Sequence, residues 1–160
     1  MARAVLPGRT ARVAAHGLAA ELPHRWEGRI YLRTDGSGTH ASNPVVHLAN
    51  FALPPGRGDF GTGAVEIMGR GHVFVSLFEY GPEEAHRPLF AELGMPRPQA
   101  HEFSPDALQR RMRGQGGWQR FFTAADRAFC LYIVLGSLVE AGQRVPELHR
   151  ALDGLRIGAR

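Results

Sequence analysis

A chain of 160 residues with 44% hydrophobic and 21% charged residues has the make-up of one soluble globular domain, with enough apolar content to bury a core. Its formal charge of +4 and pI near 10.2 permit an anionic or nucleic-acid partner, yet the basic residues run from Arg3 to Arg160. The single cysteine excludes an intramolecular disulfide framework and a cysteine-rich zinc site, and the absence of lysine excludes a Walker phosphate loop.

Residues 1–12 contain Arg, Gly and Pro without periodicity and read as a loose arm, leaving residues 13–160 as a single domain. The apolar stretch of a signal peptide is lacking, and no run is long enough for a membrane-spanning helix, so a cytoplasmic protein is expected. Val13 to Leu22 is predicted as a first strand interrupted by Gly17. Trp26 to Arg33 follows, with Ile30 and Leu32 alternating against Arg29, Tyr31 and Arg33 as in a half-exposed strand. Thr34 to Pro44 reads as an exposed, mobile loop, and Val45 to Phe51 as the next strand, stopped by Pro54-Pro55-Gly56.

Ala64 to Met68 is compatible with a short helix or an edge strand. His72 to Tyr80 is a clear strand, with Val73, Val75, Leu77 and Glu79 on one face and Phe74, Ser76, Phe78 and Tyr80 on the other. Pro82 to Leu93 is helical in composition only in part. Ser104 followed by Pro105 reads as a helix start, predicting a short helix over 105–113 without a capping box. Trp118–Thr123 and Phe129–Leu135 form a predicted hairpin around the four-residue loop Ala124–Arg127. Phe129-Cys130-Leu131-Tyr132-Ile133-Val134-Leu135 carries no charge and reads as a strand buried on both faces. Pro146 suits a first helical turn, and Val145, Leu148, Leu152 and Leu155 lie on one apolar helix stripe.

Short connections that do not alternate with helices argue against a parallel βαβ fold and for an α+β fold, an antiparallel sheet of about five to seven strands covered by helices. An early strand pair around Trp26–Arg33, a long central strand, a final hairpin and a C-terminal helix ending Leu152-x-x-Leu155-x-Ile157 resemble the PsbP-like α/β/α sandwich of photosystem extrinsic subunits and a Ran-binding nuclear import factor. Arg127-Ala128-Phe129-Cys130-Leu131-Tyr132 is also similar to segments of uncharacterised families of high-GC bacteria, in keeping with basic residues that are all arginine. The resemblance implies a binding or assembly module and carries no catalytic motif.

Candidate chemistry is sparse. Gly61-Thr62-Gly63 resembles the start of a phosphate-binding turn, but Glu66 stands where the dinucleotide fingerprint has its third glycine, so a structural turn is favoured. Asp59-Phe60-Gly61 matches a kinase triplet with no catalytic loop to accompany it. The eight histidines show no paired metal-ligand spacing; His47 and His72 fall on strands, where hydrogen-bonded structural roles are favoured. Glu83, Glu84 and His86 read as a solvated turn, Ser76 and Ser137 lack a nucleophile-elbow context, and Cys130 reads as a small buried hydrophobe. No catalytic, cofactor-binding or metal-ligating residue is assigned, and no cofactor is expected.

Arg110-Arg111-Met112-Arg113-Gly114-Gln115-Gly116-Gly117-Trp118-Gln119-Arg120 is the best candidate for a recognition surface. Arg110, Arg111, Arg113 and Arg120 would hold phosphates and Trp118 would stack a base. The plainer alternative is a helix end with arginines complementing its dipole, then a glycine-rich turn into a strand whose Trp118 packs on the core. The favoured reading is a non-enzymatic binding or assembly module with a protein partner or self-association. The alternatives are a nucleic-acid or anionic-partner binder through Arg110–Arg120, and an enzyme with a dispersed site.

Overall fold

The structure is a computed structural model that describes residues 10–33 and 43–160. Among the described residues, eight strands form two antiparallel sheets, and one α-helix packs with them, giving an α+β fold. The expected arm over residues 1–12 lies mostly outside the described residues, although Arg12 already belongs to strand β1 (Arg12–Ala15). The loop expected over 34–44 lies outside them as far as residue 42.

The predicted first strand is a hairpin rather than one interrupted strand. β1 pairs with β2 (Leu18–Glu21) through the two-residue turn His16-Gly17, where both residues have positive φ, 56° and 75°. Two left-handed residues make the turn whose twist matches a hairpin, which is why Gly17 reverses the chain instead of merely weakening a strand. β3 (Glu27–Leu32), β4 (Pro44–Ala49) and β5 (Val73–Glu79) follow as expected. The final hairpin joins β6 (Gly116–Ala124) to β7 (Arg127–Leu135) with Ala125-Asp126 alone in the turn, so both strands are longer than the sequence suggested. The larger sheet has the order β3-β4-β5-β7-β6. β5 and β7 are therefore interior strands, and every residue of both is buried.

The alternation read along β5 divides the core. Val73, Val75 and Leu77 join Phe129, Leu131, Ile133 and Leu135 of β7 on one face, whereas Phe74 and Phe78 join Cys130, Tyr132 and Val134 on the other. The first face is covered by helix α1 (Ala141–Asp153), through Ala141, Val145, Leu148, Ala151 and Leu152, and by the small sheet β1-β2-β8, where β8 is Leu155–Ile157. The second face is covered not by a helix but by irregular chain carrying Leu53, Phe60, Ala64, Val65 and Leu108.

Helical expectations fare worst. Pro146 lies inside α1, which starts at Ala141, and Leu155 belongs to β8 after Gly154 caps the helix. Leu155 still packs in the same core as Leu148. Ser104 does accept a hydrogen bond from the Asp106 N–H at 3.1 Å, yet only a single 3-10 turn follows, Pro105–Ala107, in place of the helix over 105–113. Arg110-Arg111 and Arg113-Gly114 then lack an apolar stripe to bury, and a helix this short needs one. Val65–Ile67, Pro82–Glu84 and Pro88–Phe90 are likewise 3-10 turns. The outer edge of β6 is shielded at both ends, by paired backbone hydrogen bonds between Ser104 and Gly117 and by those joining Thr123 to Glu92 and Gly94.

Candidate functional site

The Arg110–Arg120 stretch divides into two places. Its first part, residues 110–114, is an exposed loop anchored at both ends. The Gln109 N–H donates to the Tyr132 hydroxyl at 2.9 Å, and the Gln115 amide donates to the Val65 carbonyl at 2.7 Å. Arg110 leans on the Met112 sulfur, Arg111 pairs with Asp106 at 2.5 Å, and Arg113 has no ion-pair partner among the described residues. Both members of the Arg111–Asp106 pair are exposed, so the pair contributes little to stability.

The second part lies within β6. Trp118 is only 3% exposed and donates its indole N–H to Glu102 at 2.8 Å. That bond, together with Arg120 nearby, holds the Glu102 carboxyl below its usual range. Arg120 sits 5.5 Å from the Trp118 ring centroid, with Glu92 at 3.5 Å and Glu102 at 3.8 Å. Trp118 is thus a core residue with a satisfied N–H, and Arg120 is flanked by two carboxylates. Among the described residues, neither shares an ion-pair or hydrogen-bond partner with the loop arginines.

What the loop arginines do border is apolar. Pro105, Arg111, Met112, Arg113, Leu138 and Val139 line an open groove of about 380 Å³. Val139 is 88% exposed, the most exposed of the large apolar side chains among the described residues. It projects from the turn Leu138–Glu140, which must follow β7 directly to start α1 where Val145 and Leu148 reach the core. The signal missed in the sequence is Leu138-Val139, two apolar residues in a turn whose neighbours already fill the core.

A partly buried polar cluster fastens a loop. The His47 ring is fully buried on β4. Its Nδ1 accepts from Arg57 Nε at 3.0 Å, which leaves the proton on Nε2 to donate to the Asp59 carbonyl at 2.8 Å. Ser76 donates to the same carbonyl at 2.7 Å, and the Tyr31 hydroxyl donates to the Asp59 carboxylate at 2.7 Å. Burial, then Arg57, lowers the His47 pKa from 6.5 to about 4; burial and the Asp59 carboxylate raise that of Tyr31. Tyr31, His47 and Ser76 thus hold the 54–63 segment against the sheet.

That segment contains the glycine-rich turn. A Cβ on Gly61 would lie 2.5 Å from the Phe74 ring, at a φ of +90°, so glycine is required there for packing. The Gly63 N–H, which a phosphate would need, donates to the Glu66 carboxylate at 2.7 Å. Glu66 thus occupies the anion position itself. His72 accepts from the Gly69 N–H, and His86 pairs with Asp126 at the surface. Cys130 is fully buried, and that burial pushes its thiol up to about 11.

No group of three or more His, Cys, Asp or Glu side chains suited to a metal is present among the described residues, and no described helix is long and apolar enough to cross a membrane. No family model, no curated protein and no solved structure matches the chain.

Proposed function

We propose that the protein is a non-enzymatic binding or assembly module that receives an apolar segment carrying acidic side chains, from a protein partner, in the groove between the Arg110–Gly114 loop and the Leu138–Glu140 turn. The exposure of Val139 beside Arg111 and Arg113 carries this reading. An aliphatic side chain in water beside two guanidiniums suits a partner that supplies apolar surface at the centre and carboxylates at the rim. A nucleic-acid backbone would use the arginines and leave Val139, Leu138 and Met112 uncovered.

The same proposal includes the PsbP-like assignment, supported by the antiparallel sheet whose final hairpin precedes a helix. It also includes a bacterial, GC-rich origin, supported by the arginine-only basicity, and a cytoplasmic setting. The test is selection from a displayed random peptide library on the full chain. Peptides with Asp or Glu flanking one or two large apolar residues are expected to be enriched, and Val139→Asp should abolish their binding while the fold is retained. Failure to enrich any peptide, or enrichment of peptides indifferent to Val139→Asp, would overturn it. Sedimentation at several concentrations distinguishes self-association, which Val139→Asp would then suppress.

A further inference from the structure

At the opposite end of β5 and β7 from the groove, a guanidinium pair surrounds one carboxylate. Glu79 is 1% exposed and accepts two hydrogen bonds from Arg127, at 2.9 and 2.8 Å. It also accepts from Arg160, at 3.1 Å from Nε and 2.7 Å from Nη2. Arg127 is 3% exposed and spends its remaining reach on the backbone carbonyls of Gly158 and His16, each at 2.9 Å. Arg160 also donates to the Asn43 side chain at 3.0 Å, and its Nη1 has no acceptor among the described residues. Its side chain remains 42% exposed.

These groups border an open-mouthed cavity of about 300 Å³, lined also by His16, Gly17, Leu32 and Pro44. Among the described side chains, two guanidiniums face one carboxylate, and the Arg160 guanidinium keeps a free edge at a site partly withdrawn from water, where a counter-charge is worth more than at the open surface. Leu32 and Pro44 give that site an apolar wall, and Leu32 is 44% exposed with nothing in the described chain covering it. The volume is at the lower end of small-molecule sites, which suits an acid of about four to six carbons.

We propose that this cavity binds a small monocarboxylate with a short aliphatic tail, its carboxylate on the Arg160 guanidinium and its tail against Leu32 and Pro44. One carboxylate suits the single open edge of the Arg160 guanidinium, and a dianionic phosphate would bring a second charge toward Glu79. The site is separate from the groove and stands independently of the binding-module reading. The same chemistry occurs in a free short-chain acid and in the C-terminal leucine of a peptide; the small cavity favours the free acid.

The experiment titrates the full chain with hexanoate, hexylamine, hexanol, inorganic phosphate and a tetrapeptide ending in leucine. Arginine Nε–H resonances and the thermal midpoint are followed. Hexanoate is expected to give saturable shifts at Arg160 with a Kd of about millimolar order, at least tenfold weaker in Arg160→Gln, and unchanged in Arg113→Gln. Leu32→Asn, which removes the apolar wall without adding a charge, should weaken hexanoate similarly and keeps the test valid if Arg160→Gln fails to fold. Lack of saturation by hexanoate, equal binding by hexanol, or tighter binding of phosphate or of the peptide would overturn the proposal.

Discussion

The Glu79 carboxylate and the Arg127 guanidinium meet as a two-point ion pair, 3% and 1% exposed for Arg and Glu respectively, at the seam between the two sheets. β5 contributes one partner and β7 the other, and Arg127 then reaches across to the His16 carbonyl in the β1–β2 turn and the Gly158 carbonyl beyond β8. A Cβ on Gly17 would lie 2.7 Å from Arg127 Nη1, so the small sheet approaches this closely only because that turn carries glycine.

Removing Arg127 alone leaves a buried carboxylate with Arg160 as its only remaining cationic partner among the described residues. Arg127→Met is expected to destabilise the protein by about 3–5 kcal/mol, as when one half of a buried pair is lost. The double variant Glu79→Leu/Arg127→Met should regain a substantial part, because two apolar groups carry no desolvation cost. Urea unfolding of the wild type and both variants checks this; a single variant within experimental error of wild type would show that the pair does not hold the seam.

The strands were legible because their apolar residues repeat every two positions and end at glycine or proline. The β5 face assignment follows from that repeat, and the burial of Phe129–Leu135 on both faces from an unbroken run without charge. Helices were misread where a local signal lacked tertiary support. Ser104-Pro105 starts a turn that no apolar stripe prolongs, and Pro146 is tolerated inside α1 because Val145, Leu148 and Leu152 dock the helix regardless. The arginine loop was visible in the sequence, but not its separation from Trp118, whose indole is claimed by Glu102 at a sequence distance no short window spans. Glu79 was read on one face of its strand and Arg127 as the end of the hairpin loop; their pairing depends on the β5–β7 register.

Because His47 is buried as the neutral ring, the folded state resists protonation that the unfolded chain accepts at pH 6.5. The unfolded state then binds more protons between pH 6.5 and about 4, so stability is full above the upper limit and falls as pH is lowered through this window. The full loss attributable to His47 is roughly 3 kcal/mol, at 1.36 kcal/mol per pKa unit. Urea midpoints measured from pH 7.5 to 4 should show this slope, and His47→Gln should flatten it at the cost of lower stability at neutral pH. A wild-type midpoint independent of pH across that range contradicts the buried neutral ring.

Cys130 tests the interior position of β7 from another side. Its thiol is fully buried, and the same burial raises its pKa to about 11, so both access and thiolate content are low. A thiol reagent at pH 8 should label the native chain slowly, at a rate that follows global or sub-global opening, and the urea-unfolded chain at once. Rapid native labelling would place β7 at an accessible edge and contradict the strand order.

A duplex nucleic acid is the rival occupant of the arginine loop, and salt separates the two readings. Arg110, Arg111 and Arg113 lie on one exposed loop, whereas Arg120 stands with Glu92 and Glu102 on β6, so at most three phosphate contacts come from this stretch. Counterion release at about −0.9 per contact then sets a slope of roughly −2.7 in log K against log salt. The triple variant with Gln at positions 110, 111 and 113 would abolish that slope if the loop holds phosphates. Under the binding-module reading, wild type and triple variant bind labelled DNA and RNA alike, weakly and without persistence at physiological salt, because Asp106 already pairs with Arg111 and Trp118 offers no stacking face. Equal, salt-labile binding by the two proteins is the expected result. A wild-type slope near the three-contact value, lost in the triple variant, would reassign the loop to a nucleic acid and leave Val139 as an exposed side chain without a partner.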